Sequence, residues 1–205
     1  MEVIVDGSTG FTPAEAPDDV MGMLTSIGTS LQTQGRAILA VKVDGQELSS
    51  AQTAEVLSGK PLSSVGKLEV LSELTSKLVA DCLAELESVL PDLSKACHEL
   101  AAVFQGAEPH AGYEPFQQLA NIWSHVKGRQ ELIAHTLGVA LDTLKLDGKS
   151  VGALHTELNG FLSEAVGALE SGDLILLGDL LEYELAPRAD AEVRITALLR
   201  ERTGG

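Results

Sequence analysis

Two kinds of hydrophobic spacing divide the chain. Up to about residue 72 the apolar positions come in short alternating runs broken by turn residues. From residue 73 onward they recur every three or four residues over long stretches. Period two is the signature of strands half-buried on one face, and a 3.6-residue period is that of amphipathic helices. The pattern therefore predicts an α+β protein with a small N-terminal domain at 1–72 and a helical domain at 73–205.

In the first part Glu2 to Val5 predicts a strand ending at the turn pair Asp6-Gly7, with Phe11 and Thr12 as its returning partner. Asp18 or Asp19 can cap a helix whose Val20, Met23, Leu24, Ile27 and Leu31 share one face, and Gly35 ends it. Ala37 to Val43 predicts a strand with Leu39, Val41 and Val43 on one side. Asp44-Gly45 turns the chain, Ala51 to Leu57 is a short helix, and Lys67 to Leu71 is the closing strand.

In the second part Leu74, Leu78, Cys82, Leu86, Val89, Leu93, Cys97, Leu100 and Phe104 form one stripe that passes Pro91 in phase, so a kinked helix or two collinear ones is expected. A second helix carries Phe116, Leu119, Trp123, Val126, Ile133, Leu137, Leu141 and Leu144, and Asp147-Gly148 breaks it. A third starts at the N-cap Ser150 with Val151, Leu154, Leu158, Phe161, Leu162, Ala165 and Leu169 inward. Asp173 caps a fourth, apolar on several sides from Leu174 to Leu185, which Pro187 kinks or splits before a charged tail. Short joints between long amphipathic helices imply antiparallel neighbours, hence an all-α antiparallel helical bundle.

The order of strand, strand, helix, strand, short helix, strand, carried by EVIVDG, the helix at 18–34, AILAVKVDGQEL and KLEVL, resembles the β-grasp or ubiquitin-like fold and its sulfur-carrier branch. The resemblance covers about a third of the chain. It implies a β-grasp-like domain that works by offering a sheet face or edge to another protein. The segment ESGDLILLGDLLEYELAP at 170–187 is similar to a stretch that recurs in uncharacterised bacterial helical proteins, which implies no activity.

Composition narrows the partners. A formal charge of −16 repels phosphate backbones and anionic headgroups, so nucleic acid and membrane surfaces are not expected partners. Aromatic residues are only 3% of the chain, which points to an aliphatic core. No apolar run reaches bilayer length and MEVIVDGSTG lacks the marks of a signal peptide, so a cytoplasmic protein is expected. Cys82 and Cys97 share the first stripe and are expected to be buried, reduced thiols.

Candidate chemistry is sparse. His98, His110, His125, His135 and His155 include no Glu-x-x-His pair, and Glu131 with His135 alone is a weak metal motif, so no metal site and no cofactor are expected. Cys97 and His98 are adjacent and diverge by about 100° on a helix, which excludes a nucleophile–base pair through that adjacency. Gly148-Lys149-Ser150 lacks the earlier glycine of a phosphate loop, Thr143 standing in its place. No catalytic residue is assigned. Gly204-Gly205 matches the end of a sulfur carrier but follows about 130 helical residues instead of the last strand. The expectation is a non-enzymatic protein-interaction, adaptor or chaperone-like molecule, with a sulfur carrier or a metal-binding bundle as alternatives. Its contact surface is placed at Leu177, Leu181, Glu182, Tyr183 and Glu184, with Tyr183 half-buried at a solvated edge, and it faces a protein partner or a second copy in a homodimer.

Overall fold

A computed structural model of the chain describes residues 1–204, with the backbone only at 50, 51 and 204. Gly205, and with it the question of the terminal Gly-Gly pair, lies outside the described residues. The chain folds as two compact units, Met1–Leu78 and Val79–Gly205. Thr75 still belongs to the first, its N–H bonding the Gly35 carbonyl at 2.9 Å.

The first unit is a small mixed sheet with two helices. β1 (Glu2–Val5) turns at Asp6-Gly7, both with positive φ, and returns at once as β2 (Ser8–Thr9). Two such residues match the twist of a tight hairpin, so pairing ends at Ile4 with Thr9. The return strand expected at Phe11–Thr12 is therefore displaced, and Phe11 packs half-buried against the core. Asp19 caps α1 (Val20–Thr33), accepting the Gly22 N–H at 2.7 Å. β3 (Arg36–Val43) and β4 (Gln46–Leu48) flank the Asp44-Gly45 turn, and α2 (Ser50–Leu57) opens on a Ser49–Gln52 capping box. β4 is too short for its alternation to be read from sequence. β5 (Lys67–Leu74) completes the sheet in the order β2-β1-β5-β3-β4, with β1 and β5 parallel and the other neighbours antiparallel.

Val20, Ile27, Leu57, Leu68 and Val70 close the core of this unit. Leu39 does not join them. The β3–β5 register slips between Ile38 and Ala40, and this bulge leaves Leu39 61% exposed instead of in line with Val41.

α3 (Thr75–Phe104) runs unbroken through Pro91, so the two-helix alternative falls away. Its buried face is Val79, Leu83, Leu86, Leu90, Leu93, Cys97, Leu100, Ala101 and Phe104. Before Leu93 this differs from the expected stripe. The sequence offers neighbouring apolar pairs at 78/79, 82/83 and 89/90, and the second member of each faces inward. Val89 is exposed as a result, and Leu74, expected to open the stripe, ends β5 instead and is exposed there.

α4 (Tyr113–Thr136) stops eight residues short of the expected Leu144, because Gly138 takes a positive φ. Leu144 is still buried, on the approach to a hairpin of β6 (Lys145–Leu146) and β7 (Lys149–Ser150) around Asp147-Gly148. The helical part is thus not wholly α. Ser150 then caps α5 (Val151–Ser171), its side chain accepting the Ala153 N–H.

Asp173 caps α6 (Leu174–Asp179), accepting the Leu176 N–H. The helix widens into a π-helical stretch at Leu180–Leu185 and continues as α7 (Ala186–Glu201). Pro187 neither splits the chain nor starts a tail. Proline cannot donate to the carbonyl four residues back. Here the Ala186 N–H reaches the Leu181 carbonyl, five residues back, and the Arg188 guanidinium donates to the Glu184 carbonyl at 2.7 Å. The expected charged tail is the helix α7, with Ala189, Glu192, Ile195, Thr196 and Leu199 buried.

Candidate functional site

The helix from Leu174 to Leu185 sorts its residues by side. Leu177, Leu181 and Leu185 have no exposed surface. Leu177 and Leu181 are therefore core residues, not part of a contact surface: their side of the helix is covered by its own chain. Ile175 is 74% exposed and Tyr183 is 64% exposed, more open than the half-burial expected for the tyrosine, and Leu176 is partly exposed. The negative charge of Glu182, foremost, and of Asp179 holds the Tyr183 hydroxyl above its usual pKa. Glu182, which also accepts a hydrogen bond from the hydroxyl, is the stronger influence and Asp179 the weaker. Glu184 turns the other way and pairs with Arg188 at 2.7 Å, and that guanidinium lies 3.9 Å over the Phe161 ring. The exposed set is an aliphatic and an aromatic side chain flanked by two acids.

A polar cluster that the sequence did not reveal sits inside the helical unit. Gln130 on α4, His155 on α5, and Glu192 and Thr196 on α7 are all buried. The Gln130 amide donates to the Thr196 hydroxyl at 3.1 Å and to the Glu192 carbonyl at 3.3 Å. A carbonyl only accepts, so the amide nitrogen must face it, and Gln130 Oε1 faces His155 Nε2 at 3.0 Å. That makes Nε2 the protonated nitrogen. Glu192 Oε2 lies 3.5 Å from the same nitrogen. Among the described residues Trp123 Nε1, His155 Nδ1 and Glu192 Oε2 are buried without a hydrogen-bond partner. Nothing in the sequence spacing marks His155 as buried. The other four histidines are exposed, and Glu131 and His135 both point to solvent instead of sharing an inward site.

The thiols differ. Cys97 is fully buried, and burial pushes it up to about 12, offset in part by the nearby Trp123 indole. Cys82 is only half-buried, with Arg129 Nη1 3.8 Å from its sulfur. Its neighbour Leu83 took the inward place. Among the described residues no three His, Cys, Asp or Glu side chains gather so as to hold a metal ion. No described helix is long and apolar enough to cross a membrane.

Between α3 and α4 the surface is hollowed. One depression of about 300 Å³ is lined by Ala96, Leu100, Val103 and Leu119, among others, and another of about 120 Å³ by Leu86, Val89 and Val126 together with the polar Glu85, His125 and Arg129. Ile122 lines both.

Fold and surface define a mixed α+β protein with a small N-terminal sheet, a helical region sealed around a buried polar cluster, and exposed apolar positions edged by acids. The chain belongs to a family described as a domain of unknown function (DUF8042), which matches residues 81–191, more than half of its length. An "Uncharacterized protein" of Treponema pallidum (strain Nichols) is 26% identical over 190 residues, which cover 91% of this chain and 92% of that one. No solved structure matches significantly.

Proposed function

We propose that this chain is a non-enzymatic adaptor or chaperone-like protein of the cytoplasm that binds another protein through the acidic face around Ile175 and Tyr183. One observation carries the reading: Ile175 and Tyr183 stand exposed beside Asp179 and Glu182, on a helix whose opposite side is locked into the core by Leu177, Leu181 and Leu185. An aromatic side chain on a rigid support gives contact area at low entropic cost, and flanking carboxylates select a basic partner. The charge of −16 favours such a partner over nucleic acid, a membrane surface or a second copy. The N-terminal strand order, with β1 parallel to β5, supports the β-grasp-like reading of that unit, and the helices that share one apolar core support a bundle.

The test is affinity capture from the native cell with the wild-type chain and a Tyr183→Ala/Glu182→Lys variant. The expected result is one stoichiometric protein partner, lost with the variant while circular dichroism and melting stay unchanged. Equal capture by both chains, or an enzymatic turnover that persists in the variant, would overturn it.

A further inference from the structure

We infer that the groove between α3 and α4 seats a helix of a partner protein, packed in heptad register and carrying basic residues toward α3. This goes beyond the Tyr183 surface, from which it is independent.

The inference rests on a repeat in α3. Leu86, Val89, Leu93, Ala96, Leu100 and Val103 alternate steps of three and four without a break. Such spacing keeps one seam along the helix, the arrangement that lets a neighbouring helix pack nearly parallel to it, as in bundles and coiled coils. Leu86, Leu93 and Leu100 are buried, whereas Val89 and Val103 remain exposed and Ala96 half-exposed. The inner column of the seam is thus filled by the protein and the outer column is not. α4 presents Ile122, 36% exposed, across the gap, where the two depressions meet. From Leu86 to Val103 the groove is about 26 Å long, enough for about 17 helical residues.

The rim states the charge of the occupant. Glu85, Asp92 and Glu99 are exposed and also recur every seven residues, each one position before an inner leucine. In a coiled coil that position faces the charged edge of the partner and sets which partner is accepted. Two cations near the rim are engaged by these acids: Arg129, which lines the smaller depression with His125, lies 3.4 Å from Glu85, and Lys95 lies 3.4 Å from Glu99. Both pairs are exposed and exchangeable. Two copies of a chain with charge −16 would bring these acids together, so a basic helix from another protein fits and a second copy does not.

The probe is a synthetic fluorescent peptide of about three heptads, with Leu at the seam positions and Lys at the flanking ones, titrated against the full chain. A matched peptide with Glu in place of Lys is the control. The Lys peptide should bind saturably and at least about tenfold more tightly than the Glu peptide. Ile122→Glu should weaken it by about tenfold or more although it adds an attractive charge. Asp92→Lys/Glu99→Lys should reverse the preference, and Tyr183→Ala should leave it unchanged. Should Ile122→Glu disturb folding by circular dichroism, Val103→Glu takes its place. Equal affinity for the two peptides, indifference to both groove variants, or a wild-type dimer in sedimentation that Ile122→Glu dissociates would each overturn the inference, the last by assigning the groove to a second copy.

Discussion

Gln130 sets the arrangement of the buried polar cluster because its amide has no freedom to flip. The Glu192 carbonyl accepts from Nε2, which leaves Oε1 for His155. Gln130→Ala would open a cavity and leave His155 and Thr196 without their partner. The expected loss is about 2–4 kcal/mol in urea unfolding, and a loss below about 0.5 kcal/mol would show that the cluster repairs itself. The thiols make a second contrast at this scale. Reaction needs the thiolate, which burial suppresses at Cys97. Under native conditions a maleimide should label Cys82 in preference to Cys97, and equal rates would contradict the burial of Cys97. Neither contrast was legible in sequence. A glutamine among charged residues and a histidine after Leu154 look like surface, and an adjacent pair such as Cys82-Leu83 does not say which member turns inward.

At the scale of elements, helix starts were legible in single capping residues, whereas the Gly138 that stops α4 is masked by an apolar pattern that runs on to Leu144. The capping side chains Asp19, Ser150 and Asp173 are where their N-cap chemistry puts them. Helix ends decided by packing were not. Gly112 is such a place: a methyl group there would meet the buried Phe104 ring at 2.8 Å. Gly112→Ala should cost about 1–3 kcal/mol. Gly128, by contrast, lies within α4 and faces open space. Gly128→Ala should raise stability by about 0.5–1 kcal/mol through helix propensity alone. Paired thermal melts of the two variants test both signs. The same scale decides Leu181. It is wholly buried by its own chain, so Leu181→Ala should cost about 2–5 kcal/mol without changing self-association, and a change in oligomeric state would return it to an interface.

Across the whole molecule, charge governs the response to acid. Ser72 hydrogen bonds, with Arg36 assisting, hold Asp6 below its ordinary pKa. Lys77 does the same to Glu73, Arg200 to Glu87, Arg194 to Asp147 and Lys149 to Glu157. A carboxylate depressed in the folded state adds stability above its unfolded pKa, and that stability is lost as the pH falls through the folded value. Unfolding midpoints in urea should therefore hold near neutrality and fall below about pH 4. Arg194→Gln/Arg200→Gln should shrink the fall, and high salt should do likewise because the pairs are exposed. A midpoint independent of pH between 6 and 3 would refute this.

Periodicity, turn pairs and capping residues determined from sequence that a small sheet precedes a helical region, where most helices begin, and that the surface is acidic. These are properties of residues within one turn or one hairpin of each other, so the chain states them locally. Tertiary structure decided which member of each apolar pair on α3 faces inward, that Leu39 bulges out of the sheet, that Leu177 and Leu181 are core while Ile175 and Tyr183 are surface, and that Gln130, His155, Glu192 and Thr196 meet. Each of these depends on partners far along the chain, as Thr196 is for Gln130, whose approach is set by packing, and no local pattern encodes it.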